Sequence, residues 1–153
     1  MYRKILVALE NGPADRTLLP HVENLARELG SELVLLHVAD GWAARNFDAL
    51  KLAESDEIKS DRRYLDAAAA QLRTRGVRVE FKLAMGDPAI EIVKMAKAEH
   101  CDLIAMTTHG HKFVGDMIHG STIEPVRHNA PIPLLVIPTA EAVERLKGPA
   151  QAL

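Results

Sequence analysis

The sequence predicts an α/β domain built on a doubly wound, five-stranded parallel sheet with helices on both faces. Five short apolar runs alternate with segments whose apolar residues recur at helical spacing. Apolar runs of this length are typical of strands that are buried on both sides, and strands that alternate with helices form parallel sheets. Right-handed crossovers leave few topologies, and we expect the strand order 3-2-1-4-5.

The five runs differ in how completely they are apolar. The third alternates apolar and charged residues, which indicates a strand near a sheet edge, whereas the others are nearly continuous. The predicted strands are Lys4–Leu9, Glu32–Val38, Val77–Leu83, Asp102–Met106 and Leu134–Ile137.

The first predicted helix follows the turn at Asn11 and Gly12, with Pro13 at its first position and Gly30 as its stop. Pro20 interrupts this pattern and is expected to kink or delay the helix. The apolar stripe comprises Leu18, Val22, Leu25, Ala26 and Leu29.

The other predicted helices are marked by their ends. Ser60 is expected to cap a helix over residues 61–75, after a polar passage over residues 39–59 that reads as a mobile loop or a partial helix. Gly86-Asp87-Pro88 is a turn, an N-cap and a first helical position. Ser121 to Glu124 has the pattern of a capping box for a helix that ends near Asn129.

Composition bounds the class of protein. The chain has 153 residues, 48% of them apolar and 26% charged, and a net charge of −2. We therefore expect one domain over residues 1–138 with a short tail over residues 139–153, and no nucleic-acid or membrane partner. No apolar run approaches the ~18 residues of a membrane span, and no signal peptide is evident. The lone Cys101 reads as a small buried hydrophobe and fits a cytoplasmic protein.

The segment after the fourth strand carries the functional signal. It reads TTHGHKFVGDMIHGS over residues 107–121, with Gly110 separated by nine residues from Gly120-Ser121. A glycine turn after a strand and a Gly-Ser at a helix start can aim backbone N–H groups at a phosphate. The same residues can also be only a turn and a helix cap, and the spacing leaves both interpretations open. It matches neither the GxxxxGK[ST] phosphate loop nor GxGxxG.

Residues along nearly the whole chain resemble the universal stress protein family. The most specific match is the segment from Thr108-His109-Gly110 through Gly120-Ser121 to the last predicted strand. The other matching segments are residues 4–8, 35–38, 86–88 and 102–104.

The resemblance implies a regulatory protein that binds ATP or AMP, with or without Mg²⁺, as a signal. The nucleotide-binding branch of the family has the pattern G-x-x-G-(nine residues)-G-S/T. Here Gly110, Gly120 and Ser121 match it, but Thr107 occupies the first glycine position. The implied binding residues are Ala8, Leu9, Glu10, Val38, Ala39, Met106, Thr107, His109, Gly110, Gly120, Ser121 and Thr122.

Two parts of this implied site depend on other strands. Glu10 stands where the family usually has Asp at the end of the first strand, so a contact with the ribose needs an adjusted geometry. Val38 and Ala39 stand where backbone groups hold the adenine, and backbone contacts tolerate a change of sequence.

Alternative chemistry in the same segment has less support. His109, His111 and His119 can be drawn as a metal site, although only Asp116 joins them as a further ligand type. A slow ATPase is the other alternative, with Glu10 or Asp116 on Mg²⁺, but no histidine has the fixed partner that a general base needs. We assign no catalytic residue.

The resemblance also implies a homodimer that pairs through the strand Leu134–Ile137, an apolar strand that would otherwise be an exposed edge. Nucleotide would order the loop from His109 to Met117, whose apolar residues are unusual for a solvent-exposed segment. Thr107 keeps open a different function, a stress interaction module that binds no nucleotide.

Overall fold

The computed structural model describes residues 1–39, 56–108 and 122–147 of the chain. It confirms a five-stranded parallel sheet in the order β3-β2-β1-β4-β5. The strands are β1 (Lys4–Leu9), β2 (Glu32–Ala39), β3 (Arg78–Met85), β4 (Leu103–Thr107) and β5 (Leu134–Ile137). The alternating strand β3 lies at one edge, as its pattern predicts, and β5 lies at the other.

Helices cover both faces of the sheet. They are α1 (Asp15–Leu29), α2 (Asp56–Thr74), α3 (Pro88–Ala98), α4 (Ile123–Asn129) and α5 (Ala140–Lys147). Buried side chains of α1 and α2 pack on one face of the sheet, and those of α3 and α4 pack on the other. Each strand contributes alternate side chains to the two clusters, so the middle of the sheet is buried on both sides. None of the described helices is both long enough and apolar enough to cross a membrane.

The first helix corrects two predictions and confirms a third. α1 begins at Asp15 and continues through Pro20, so the expected delay is wrong, and Pro13 lies in the preceding turn instead of the first helical position. Leu18, Val22 and Ala26 of the predicted stripe are buried, although Leu29 is 44% exposed, and this burial outweighs the one backbone hydrogen bond that a proline removes. Gly30 ends the helix with φ 68°, as predicted.

The second helix starts earlier than the sequence predicts. α2 begins at Asp56, so Ser60 is an interior residue and not a cap. Ile58 in its first turn is 1% exposed and forms a small apolar cluster with Ala39, with Leu83 and Met85 packed against it. This contact stabilises an additional turn whose polar sequence gave no helical signal. Residues 40–55 of the predicted polar passage lie outside the described residues, and Ala39 belongs to β2.

The later helices follow their end signals with smaller differences. The carboxylate of Asp87 accepts a hydrogen bond from the N–H of Ile90 at 3.0 Å and caps α3, with Pro88 at the first position. α4 ends at Asn129 as predicted, but Thr122 precedes it without a side-chain cap, and Ser121 of the predicted capping box lies outside the described residues. Part of the expected tail forms α5.

Candidate functional site

The chain changes direction between β1 and β4, which are neighbours in the sheet although they are not consecutive in sequence. The helix after β1 packs on one face of the sheet, and the helix after β4 packs on the other. In open α/β sheets, connections that leave neighbouring strands for opposite faces bound a crevice at the carboxyl ends of the strands, and ligands bind there. Glu10 and Thr107 stand at this switch point.

The turn after β1 is held by one buried carboxylate. Asp15 is 1% exposed, and its oxygens accept the backbone N–H groups of Glu10 at 2.9 Å, Asn11 at 2.9 Å and Gly12 at 3.4 Å. The Tyr64 hydroxyl of α2 donates to the same carboxylate at 2.7 Å. Burial, together with the hydrogen bond to Asp15, raises the pKa of Tyr64, so its hydroxyl remains a proton donor throughout the physiological range.

The contacts of Asp15 decide whether the β1–α1 turn can bind an anion. Successive backbone N–H groups form a concave site that binds an anion such as phosphate. Here the chain's own Asp15 carboxylate occupies that site. The N–H groups of Glu10, Asn11 and Gly12 are therefore already occupied and are not available to a phosphate.

A second set of contacts joins α2 to the same turn. The side-chain amide of Asn11 donates to the carboxylate of Asp61, which also lies 3.5 Å from Nε2 of His37. Nδ1 of His37 donates to the carbonyl of Leu9 at 3.0 Å, because a carbonyl can only accept. Asn11 has φ 56°, a left-handed conformation that Asn adopts more readily than most residues. The network fixes the end of β1 from two sides.

The end of β2 extends past the end of β1. Pairing of β1 with β2 ends at Leu9↔His37, whereas pairing of β2 with β3 continues to Ala39↔Met85. The carbonyl of Ala39 faces β3 and accepts the N–H of Gly86 at 3.2 Å. Because neighbouring residues of a strand present their backbone groups to opposite sides, those of Val38 face β1 and the switch point.

The end of β4 is hydrogen-bonded to β5 on one side and carries the buried polar side chain of Thr107. The N–H of Thr108 donates to the carbonyl of Ile137 at 3.1 Å, which ties β4 to β5. Thr107 is 2% exposed, and its Oγ1 has no hydrogen-bond partner among the described residues. By strand alternation its side chain shares the α1 face of the sheet with Leu103 and Ala105, whereas Met106 packs on the α3 face.

The structure brings together the implied residues that end the three central strands. Ala8, Leu9, Ala39, Met106 and Thr107 are buried, Val38 is partly exposed and Glu10 is exposed. Thr122 is partly exposed and precedes α4. His109, Gly110, Gly120 and Ser121 lie outside the described residues, as do His111, Asp116 and His119 of the alternative metal site. Within residues 1–39, 56–108 and 122–147, no three metal-ligating side chains form a cluster.

The sequence analysis did not identify Asp15, Tyr64 or Asp61. Asp15 could have been noticed, because an acidic residue directly before an apolar helical stripe is a common helix-start signal. Tyr64 and Asp61 carry no such signal, since they lie on a helix about 50 residues away in sequence.

Comparison with known proteins identifies the family. The Universal stress protein family matches residues 1–138. The chain belongs to the universal stress protein family. A universal stress protein of Methanothermobacter thermautotrophicus is 32% identical over 146 residues, covering 91% of this chain and 97% of that protein. One from Methanocaldococcus jannaschii is 28% identical over 143 residues, covering 90% and 82%.

Solved universal stress proteins share the fold. A second Methanocaldococcus jannaschii protein superposes with a TM-score of 0.71 at 27% identity, covering 90% of this chain and 96% of that chain. A Burkholderia pseudomallei protein of the family gives a TM-score of 0.68 at 27% identity, covering 90% and 97%. A protein from Archaeoglobus fulgidus, solved in complex with dAMP, gives a TM-score of 0.64 at 21% identity, covering 89% and 98%, and that likeness concerns the fold alone.

Proposed function

We propose that this universal stress protein binds an adenine nucleotide, ATP or AMP, as a regulatory signal of the stress response. The observation that carries the proposal is that β2 extends past the end of β1, beside the switch point. The backbone of Val38 faces β1 beyond the last paired residue, beside the exposed side chain of Glu10. A backbone acceptor beside a carboxylate matches the 6-amino group of an adenine and a hydroxyl of a ribose.

Each part of the nucleotide has a proposed partner. Adenine lies against the backbone of Val38 and Ala39, and Glu10 accepts a ribose hydroxyl. The backbone N–H groups of the segment from Gly110 to Ser121 hold the phosphates, with or without Mg²⁺. The β1–α1 turn supports this division, because its own N–H groups already bind Asp15 and leave the phosphates to the other side of the crevice.

Relatives of the same fold support the choice of ligand. The Archaeoglobus fulgidus protein is a complex with dAMP, and another universal stress protein of the same fold is a complex with cAMP, at a TM-score of 0.65 and 16% identity. Both ligands contain adenine, a sugar and a phosphate, the three parts for which we propose partners in this chain.

Thr107 favours a second candidate, an interaction module that binds no nucleotide. It places a side chain where the nucleotide-binding pattern has glycine. Its burial on the α1 face argues for the first candidate, because a side chain that is turned toward α1 does not fill the crevice.

We further propose that the protein is a cytoplasmic homodimer that pairs through β5. Leu134, Leu135 and Val136 are only partly buried, although β5 is apolar throughout, which is unusual for an unprotected edge. The single, buried Cys101 is compatible with a reducing compartment.

Thermal unfolding with ATP, AMP or cyclic AMP, each with Mg²⁺, tests the proposed function. A ligand at 100 times its dissociation constant stabilises a protein by about 2.7 kcal/mol, which is a readily measured shift. Gly110→Val is expected to abolish the shift while the melting temperature without ligand stays close to that of the wild type. The absence of a shift with all three nucleotides would favour the interaction module. Release of phosphate from ATP, measured in parallel, distinguishes a signal from a substrate.

A further inference from the structure

The Asp15 carboxylate accepts the N–H of Asn11, a donor that would otherwise be in position to bond the end of β2. In the β1–β2 ladder the N–H of Glu32 donates to the carbonyl of Arg3 at 2.9 Å, where Lys4 pairs with Glu32. The same pattern, continued along both strands, brings the carbonyl of Val38 opposite the N–H of Asn11. That N–H instead donates to Asp15 at 2.9 Å.

We propose that Asp15 is a positioning residue of the nucleotide site, which keeps the Val38 carbonyl available for the adenine 6-amino group. This inference rests on the proposed function. Asp15 makes no contact with the nucleotide itself. It acts by turning the chain away from β2 directly after Leu9. The hydrogen-bond ladder between β1 and β2 therefore ends before the N–H of Asn11 can reach the Val38 carbonyl.

The number of hydrogen bonds that Asp15 accepts supports a positioning role. Four donors converge on its two oxygens, three from the turn and one from Tyr64 of α2. Asp15 does not cap α1, because Ala14 precedes the helix without a side-chain cap and the N–H groups that Asp15 accepts belong to the turn before it. A buried carboxylate with four donors is more than a helix start requires, and it holds Glu10, the proposed ribose partner, through its backbone N–H.

The test compares ATP with purine riboside triphosphate, which lacks only the 6-amino group. The wild type is expected to prefer ATP by roughly 3- to 10-fold in Kd, the usual effect of one hydrogen bond. In Asp15→Ala the N–H of Asn11 is free to bond the Val38 carbonyl, and we expect the preference to disappear. The two ligands share ribose and phosphates, so general loosening of the site would weaken both and leave their ratio unchanged.

Asp87→Ala is the matched control. Asp87 also starts a helix and accepts a backbone N–H, at 3.0 Å from Ile90, but it follows β3 and does not touch the β1 turn. The control is expected to lose stability and keep the full preference for ATP. Where Asp15→Ala does not fold, Asp15→Asn replaces it, because its amide has one acceptor oxygen instead of two and must release part of the turn. A smaller preference is then expected.

The outcomes separate this inference from the function on which it rests. An unchanged preference for ATP in the folded Asp15 variant overturns the positioning role and leaves nucleotide binding intact. Equal affinity of the wild type for the two ligands, or an equal loss for both in the variant, also overturns it. A wild type that binds neither triphosphate refutes the proposed function itself.

Discussion

Asp15 begins α1 and Thr107 ends β4, and each is a buried polar residue beside the switch point. They differ in how their polar atoms are satisfied. The carboxylate of Asp15 accepts four hydrogen bonds, whereas Oγ1 of Thr107 has no partner among the described residues. A buried polar atom without a partner costs about 1–3 kcal/mol, and we expect Thr107 to carry this cost if residues outside the described ranges do not bond its hydroxyl.

Replacing Thr107 with Val tests this cost. Valine keeps the shape and removes the unpartnered hydroxyl, so we expect the free energy of unfolding to stay the same or to rise by about 1 kcal/mol. Urea denaturation measures it. Thr139→Val is the control, because the hydroxyl of Thr139 accepts the N–H of Ala142 at 3.2 Å and its loss is expected to cost about 1 kcal/mol. A clear loss of stability in Thr107→Val would mean that its hydroxyl has a partner.

At the scale of elements, most local signals predicted the right element, although Ser60 is not the cap that the sequence predicts. The five strands lie within two residues of their predicted bounds, and helices end or begin as predicted at Gly30, Asp87 and Asn129. The start of α2 and the continuity of α1 through Pro20 were missed, because tertiary burial decides both. The network around Asp15 was missed for a related reason, since its partners come from a helix that is distant in sequence.

A cluster of charged side chains connects the end of α3 to β1 and β3. Glu99, at the end of α3, lies 3.3 Å from Nζ of Lys4 in β1 and 3.3 Å from Nζ of Lys82 in β3. Burial raises the pKa of the Glu99 carboxyl, but the hydrogen bonds from Lys82 and Lys4 outweigh it, so the pKa lies below its ordinary value of 4.5. Glu99 therefore stabilises the fold above pH 4.5, and this contribution is lost as pH falls through the lower folded pKa.

Glu99→Gln is expected to reduce stability at pH 7 by about 1 kcal/mol, since it removes two partly exposed ion pairs. The difference from the wild type should shrink as the pH falls below 4.5 and vanish once both states are protonated. Urea denaturation at a series of pH values measures it. A difference that is independent of pH would assign the effect to packing instead of charge.

At the scale of the whole molecule, β5 lies at an edge of the sheet, and we propose that the homodimer pairs through this strand. The carbonyls of Pro133 and Ile137 face β4 and accept the N–H groups of Ile104 and Thr108. By alternation, the backbone groups of Leu134 and Val136 face away from the sheet, where the proposed partner strand would pair.

Val136→Pro removes one outward N–H group and no hydrogen bond to β4, a change that edge strands tolerate. We expect the wild type to be a dimer and this variant to be a folded monomer. Light scattering coupled to size-exclusion chromatography gives the mass, and circular dichroism verifies the fold. A wild type that is monomeric, or a variant that remains a dimer, would place any interface elsewhere.

Calorimetric titration of the wild type with ATP and Mg²⁺ tests the central claim, that this universal stress protein binds an adenine nucleotide at the switch point. The prediction is one ATP bound per chain, with binding abolished in Gly120→Val and its affinity reduced in Glu10→Ala. The absence of binding at millimolar ATP, or equal binding by the wild type and both variants, would contradict the account.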